Sequence, residues 1–212
     1  MRTLGLIGGT GPESTVEYYR LLTAKYREQA DGHSPPLIIT SIDLKQMIEW
    51  MTAGNLAAVA DGLVAEFERL YKAGADFAAL TANTAHIVFD EVQQRSPLPL
   101  ISMVEATCEE VQARGLKSAG LLGTRFTMQA PFYPAVFSRA GVKLVVPTEQ
   151  EQDFIHGIYL GELLKDVFRP ETRTRLLEIA DEMKRRDNID CLILGGTELP
   201  LLLRDENHNG MP

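Results

Sequence analysis

Four short stretches gather small, hydroxyl-bearing and titratable residues. They are Gly8-Gly9-Thr10-Gly11-Pro12-Glu13-Ser14-Thr15, Leu80-Thr81-Ala82-Asn83-Thr84-Ala85-His86, Gly123-Thr124-Arg125-Phe126-Thr127-Met128 and Gly195-Gly196-Thr197-Glu198-Leu199-Pro200. Each follows an apolar run and precedes a helical pattern, so its backbone N–H groups and the positive end of the helix can hold an anion such as a carboxylate or phosphate. Gly9, Thr10 and Ser14 are candidates in the first stretch, where Pro12 suits a first helical turn. Asn83 and Thr84, Thr124 and Thr127, and Thr197 are the candidates in the others. Each has a plainer reading: a tight strand-to-helix turn uses Gly anyway, Asn83 and Thr84 can cap a helix, and Arg125 can be a surface charge. The first stretch is not GxGxxG and no Walker lysine follows it, so a nucleotide is not indicated. Glu198 is either an acid complementing a helix start or a general acid/base, and His86 is either a structural imidazole or a proton-transfer group. Asp43 and Glu13 are the remaining titratable candidates.

The elements that must position these stretches alternate. Apolar runs predict strands at Thr3–Ile7, Leu37–Ile42, Phe77–Thr81, Leu100–Met103, Ala119–Leu122, Lys143–Val146 and Cys191–Leu194. Helical periods predict helices at Pro12–Ala30, Leu56–Ala73, Ala85–Gln94, Val104–Arg114, Thr127–Arg139, Gln150–Val167 and Glu171–Arg186. This is the βα pattern of an α/β fold with parallel sheets, its strands apolar throughout because helices cover both faces. GLIGGTGPEST followed by YY is echoed by GLLGTRFTMQA followed by FY, and the strand ending LTANTAH by the one ending LILGGTELP. Two similar halves follow, 1–103 and 104–212, expected to meet at a cleft. Ligands of open α/β sheets bind outside the carboxyl ends of the strands, where all four stretches lie.

Composition narrows the function classes. With 212 residues, 45% hydrophobic and 24% charged, the chain can bury its cores without disulfides or metal. It has no apolar run of about 18 residues, so no membrane role is expected, and MRTLGLIGG reads as a first strand rather than a signal peptide. A cytoplasmic location is the expectation. A net charge of -8 without any Lys/Arg cluster disfavours nucleic acid. Cys108 and Cys191 form neither a metal pair nor a disulfide framework.

Together the four stretches, GLIGG with PEST and YY, NTAH, GLLGT with FTM, and LILGGTELPLLL, resemble the cofactor-independent aspartate/glutamate racemase family over nearly the whole chain. The resemblance implies two pseudo-symmetric, flavodoxin-like α/β domains with the active site between them, a homodimer, an amino acid or dicarboxylate as the small-molecule partner, and no cofactor. It also implies a further short strand and last helix after Pro212 that return to the first half. In that family two cysteines face each other across the substrate α-carbon, one before NT of the central motif and one before TE of the late motif. Here those positions are Ala82 and Gly196, which can neither take nor give a proton. Cys191 lies roughly 16 Å before Gly196 at about 3.3 Å per residue, and Cys108 lies inside a helix, so structural roles are expected for both. Thr81 is a poor base and alternates away from the Ala82 face.

Three readings follow. The first is an amino-acid racemase or epimerase with an aspartate- or glutamate-like substrate and non-cysteine or impaired proton transfer, through Glu198 or His86. The second is a non-catalytic protein binding a small acidic metabolite. The third is a one-sided lyase or decarboxylase. Restoring the thiols by Ala82→Cys with Gly196→Cys would be the direct repair.

Overall fold

A computed structural model describes residues 1–203 and 207–212, without the side chains of Pro12 and Glu13. The chain folds as two compact units, Met1–Met103 and Val104–Pro212.

In the first unit β1 (Leu4–Gly8), β2 (Leu37–Ser41), β3 (Phe77–Leu80) and β4 (Leu100–Ile101) form one parallel sheet in the order β2-β1-β3-β4. The register pairs Ile7 with Thr40 on one side and with Leu80 on the other, so the carboxyl ends of β1 and β3 are adjacent. Helix α1 (Pro12–Gln29) follows β1, α2 (Leu44–Thr52) follows β2, and α3 (Leu56–Lys72) returns the chain to β3. Helix α3 carries Val59, Leu63, Phe67 and Leu70, all at 0% exposure, in one buried cluster with Ile7, Ala78 and Leu80. Burying a large aliphatic or aromatic side chain contributes about 1.5–3 kcal/mol, so this stripe is what holds α3 against the sheet. After β3 the chain makes a 3-10 turn, Thr84–Val88, before α4 (Phe89–Arg95).

The second unit opens on α5, whose full span is Met103–Ala113. Strands β5 (Ser118–Gly123), β6 (Lys143–Val145) and β7 (Cys191–Gly195) follow in the parallel order β6-β5-β7, with Gly123 beside Gly195. Every residue of β5 is buried. Leu121, Cys191 and Ile193 belong to one apolar cluster, and Leu122, Leu192 and Leu194 to another. Alternate side chains leave opposite faces of a strand, so both faces of this sheet are covered, as the continuous apolar runs require. The helices are α6 (Arg125–Gln129), α7 (Phe132–Arg139), α8 (Glu149–Gly161), α9 (Pro170–Asp187) and α10 (Leu199–Leu202).

All seven strand expectations are met within two residues. The helix expected over Thr127–Arg139 is broken, because Pro131 has no N–H to continue the ladder and α7 restarts behind it. The helix expected over Gln150–Val167 ends at Gly161 and passes into a 3-10 turn, Leu163–Lys165. Sequence reading missed α2. Its N-cap is Asp43, whose carboxylate accepts from the N–H groups of Lys45 (2.9 Å) and Gln46 (3.3 Å). Asp43 therefore has a structural occupation in place of the acid/base candidacy its strand-end position suggested.

Candidate active site

The order β2-β1-β3 in one unit is the order β6-β5-β7 in the other. In each, the crossover reverses direction between the central strand and its later neighbour, the topological switch point where open α/β sheets hold ligands. The loops at β1 and β3 are thus neighbours in the first unit, and those at β5 and β7 in the second.

At the β1 mouth Gly9 has φ +89°, and a Cβ there would stand 2.5 Å from Ser41 Oγ and 2.6 Å from the Ile42 carbonyl oxygen. Only glycine fits. Its N–H donates to Thr15 Oγ1 at 3.0 Å, and that hydroxyl donates to the Gly11 carbonyl at 3.2 Å, so Thr15 takes an amide that sequence reading offered to a ligand. Thr10 is half-buried and Ser14 buried at the start of α1. The Glu13 side chain lies outside the described residues.

At the β3 mouth the Thr81 hydroxyl donates to the Ile7 carbonyl at 2.7 Å, which occupies it inside the sheet. Ala82 is 6% exposed and packs in the core cluster. Asn83 is buried, and its side chain makes no cap bond to the 3-10 turn that starts at Thr84. His86 is 3% exposed and stacks on Phe89, with ring centroids 4.8 Å apart. Its Nδ1 lies 2.8 Å from the Ala82 carbonyl, and its Nε2 accepts from the Met103 N–H at 3.2 Å. A carbonyl can only accept, so Nδ1 carries the proton and the ring is the neutral tautomer. Burial lowers its pKa against the opposing pull of the Ala82 and Asn83 backbone. Both ring nitrogens thus serve the fold.

At the β5 mouth Thr124 caps α6, accepting from the Thr127 N–H at 3.3 Å, with the two hydroxyl oxygens 3.2 Å apart. Thr127 has no exposed surface. Arg125 pairs with Asp153 at 2.6 Å, both largely exposed, a surface ion pair.

At the β7 mouth Thr197 donates its hydroxyl to Glu198 Oε2 at 2.8 Å. Glu198 is 5% exposed and its side chain does not cap α10. Burial raises its pKa, with a smaller push from Asp166, against the Thr197 hydroxyl and its own backbone N–H. A carboxyl whose pKa is raised by burial is better matched to proton transfer than an ordinary surface carboxylate. The two thiols offer no such chemistry. Cys191, at the amino end of β7, is buried and pushed up to about 11, and burial with Glu109 nearby raises Cys108. Among the described residues no cluster of His, Cys, Asp and Glu could hold a metal ion, and no helix is long and apolar enough to cross a membrane.

Residues 7–212, which include all four loops, match the family model of the Asp/Glu/hydantoin racemases. The chain belongs to that family. Like other Asp/Glu/hydantoin racemase family structures it is an α/β protein with two parallel sheets. It aligns with a candidate Asp/Glu racemase from Yersinia pestis at TM-score 0.87 and 29% identity, covering 100% of this chain and 91% of that one. With an aspartate racemase homologue from Pyrococcus horikoshii OT3 the TM-score is 0.79 at 33% identity, covering 95% and 88%. The broad specificity amino-acid racemase RacX of Bacillus subtilis (strain 168) is 31% identical over 159 residues, 67% of this chain and 63% of RacX. The chain spans about half the length of the glutamate racemases it matches, 53% of one from Glaesserella parasuis and 50% of one from Aquifex aeolicus.

Proposed function

We propose that this member of the racemase family acts on the α-carbon of an aspartate- or glutamate-like amino acid without thiols, and with slow or impaired inversion. The loop residues Thr10, Ser14, Asn83, Thr84, Thr124 and Thr197 hold substrate carboxylates, and Glu198 is the proton-transfer group. The single observation that carries this reading is the burial of Glu198 at a strand mouth of the switch point, with its pKa raised. Glu198 takes the role in preference to His86, whose two nitrogens are engaged. The wider reading includes a cytoplasmic homodimer that needs no pyridoxal phosphate.

A second reading is a binding protein for a small acidic metabolite. It is favoured by Ala82 and Gly196, at the two positions where the resemblance implies thiols.

Incubation of the protein with each enantiomer of aspartate and glutamate in D₂O, followed by ¹H NMR and chiral chromatography, separates the two. The isomerase reading expects α-proton exchange above the protein-free control and a loss of about 10²-fold or more in Glu198→Gln. Ligand-induced shifts without exchange would sink it in favour of the binding protein. The dimer is checked by light scattering on the same sample.

A further inference from the structure

Tyr159 lies on α8, which packs against β5 and α6 in the second unit. The residue is 1% exposed, and its hydroxyl is enclosed without a hydrogen-bond partner among the described residues. Buried hydroxyls are almost always satisfied, because the desolvation of an unpaired one is unfavourable, so an orphan is retained where something offsets it.

The hydroxyl points into the β7 loop. A Cβ built on Gly196 would stand 1.7 Å from the phenol oxygen and 2.6 Å from Cζ. Gly196 is not among the residues with positive φ, so its backbone does not demand glycine. What excludes a side chain there is the phenol itself. The charged group acting on the phenol is Glu198, two residues along; Asp166 acts in turn on Glu198, and the nearby Leu199 N–H donates to the Gly196 carbonyl at 3.3 Å and closes no hydrogen bond of good geometry to the phenol oxygen.

Resting on the reading that proton transfer takes place at the β7 loop, we propose that Tyr159 is a catalytic residue: its hydroxyl, in the space of a residue-196 side chain, exchanges the α-proton of the substrate, with Glu198 as the proton store behind it. In the forward step, with the Glu198 carboxylate turned onto the phenol by bound substrate, the Cα–H bond breaks and that proton bonds to the phenol oxygen, while the phenol's own proton passes to a Glu198 carboxylate oxygen. The electron pair remains on the α-carbon, delocalised into the substrate carboxylate. While the carbanion persists, the phenol trades the proton it took from carbon with Glu198, and Glu198 trades it with water, so the reverse step returns a solvent proton to the same face. Nothing is oxidised or reduced. Burial and the Glu198 charge raise the phenol well above its ordinary value, so it stays neutral and can relay a proton while Glu198 is the net base. One group on one face gives exchange with retention, in one enantiomer.

The test uses the full chain in D₂O with L- and D-aspartate and L- and D-glutamate, following the α-proton by ¹H NMR and configuration by chiral chromatography. The variants are Tyr159→Phe, which removes only the orphan oxygen, and Gly196→Ala, whose Cβ displaces it. The proposal expects one enantiomer to exchange with retention, with a rate that rises to a plateau as Glu198 ionises. It expects Tyr159→Phe to lose about 10²-fold or more, with Tm unchanged or raised and ligand-induced shifts kept, and Gly196→Ala to lose exchange likewise. Exchange at the wild-type rate in either variant overturns the role of Tyr159 and leaves the isomerase reading standing. Absence of exchange in the wild-type protein for all four amino acids overturns both.

Discussion

The phenol oxygen of Tyr159 stands 1.7 Å from the point where a Cβ on Gly196 would lie, so one residue's size sets the other's. The simple repair of adding thiols at positions 82 and 196 is therefore blocked at one of them. Gly196→Cys alone is expected to destabilise by about 1–3 kcal/mol or more, the range of overpacked cores. Gly196→Cys combined with Tyr159→Ala is expected to recover part of that loss. Urea unfolding of both variants checks the pair, and equal stability of Gly196→Cys and wild type would contradict it.

Tyr159→Phe is the complementary change. Removing a buried hydroxyl that has no partner is expected to raise stability, by about 1 kcal/mol. A loss of similar size in the unfolding midpoint would show that the oxygen makes a bond in solution.

His86 makes stability depend on pH. Burial lowers its folded pKa below the unfolded value of about 6.5. Its contribution is therefore present above that value and is lost as pH falls through it towards the folded pKa, because the unfolded chain binds the proton first. His86→Gln is expected to flatten this slope between about pH 7.5 and 5. At about pH 7.5 it is expected to cost about 1–3 kcal/mol, through the Ala82 carbonyl and Met103 N–H left without the ring. Parallel pH–stability curves for variant and wild type would count against this account.

Glu198 has the opposite sign. Its folded pKa is raised, so its contribution is complete below the unfolded value of about 4.3 and is lost as pH rises through the folded value. Glu198→Gln is expected to be more stable than wild type at about pH 8 and to lose that advantage near about pH 4. Exchange activity moves the other way, so the same variant pairs higher stability with lost turnover. Denaturant titrations at the two pH values test the sign.

Asp43→Ala separates a cap from a catalyst. Loss of the N-cap of α2 is expected to cost about 1 kcal/mol, read as a lower Tm. α-Proton exchange at saturating substrate is expected to stay at the wild-type rate, and a fall of tenfold or more would return Asp43 to the acid/base candidates.

Much of this protein was legible in its linear order. Seven apolar runs mark the strands because residues buried on both faces must be apolar at consecutive positions, as all of β5 is. The loop residues stand where strands end and helices begin, and Ala82 and Gly196 occupy the positions where the resemblance implies thiols. Asp43 is ambiguous in the sequence because a carboxylate at a strand end and an N-cap look alike until α2 is seen behind it. His86 was ambiguous because its tautomer is set by two backbone groups, one of them 17 residues away at Met103. Tyr159 carried no signal, being one more apolar-face residue of a long helix. Its hydroxyl meets the missing side chain of Gly196, 37 positions further along, only when α8 packs beside the β7 loop. Periodicity reports which face of an element is buried, and so it determined the fold; which polar atom ends up against which gap is a property of packing, and that was decided by the tertiary structure.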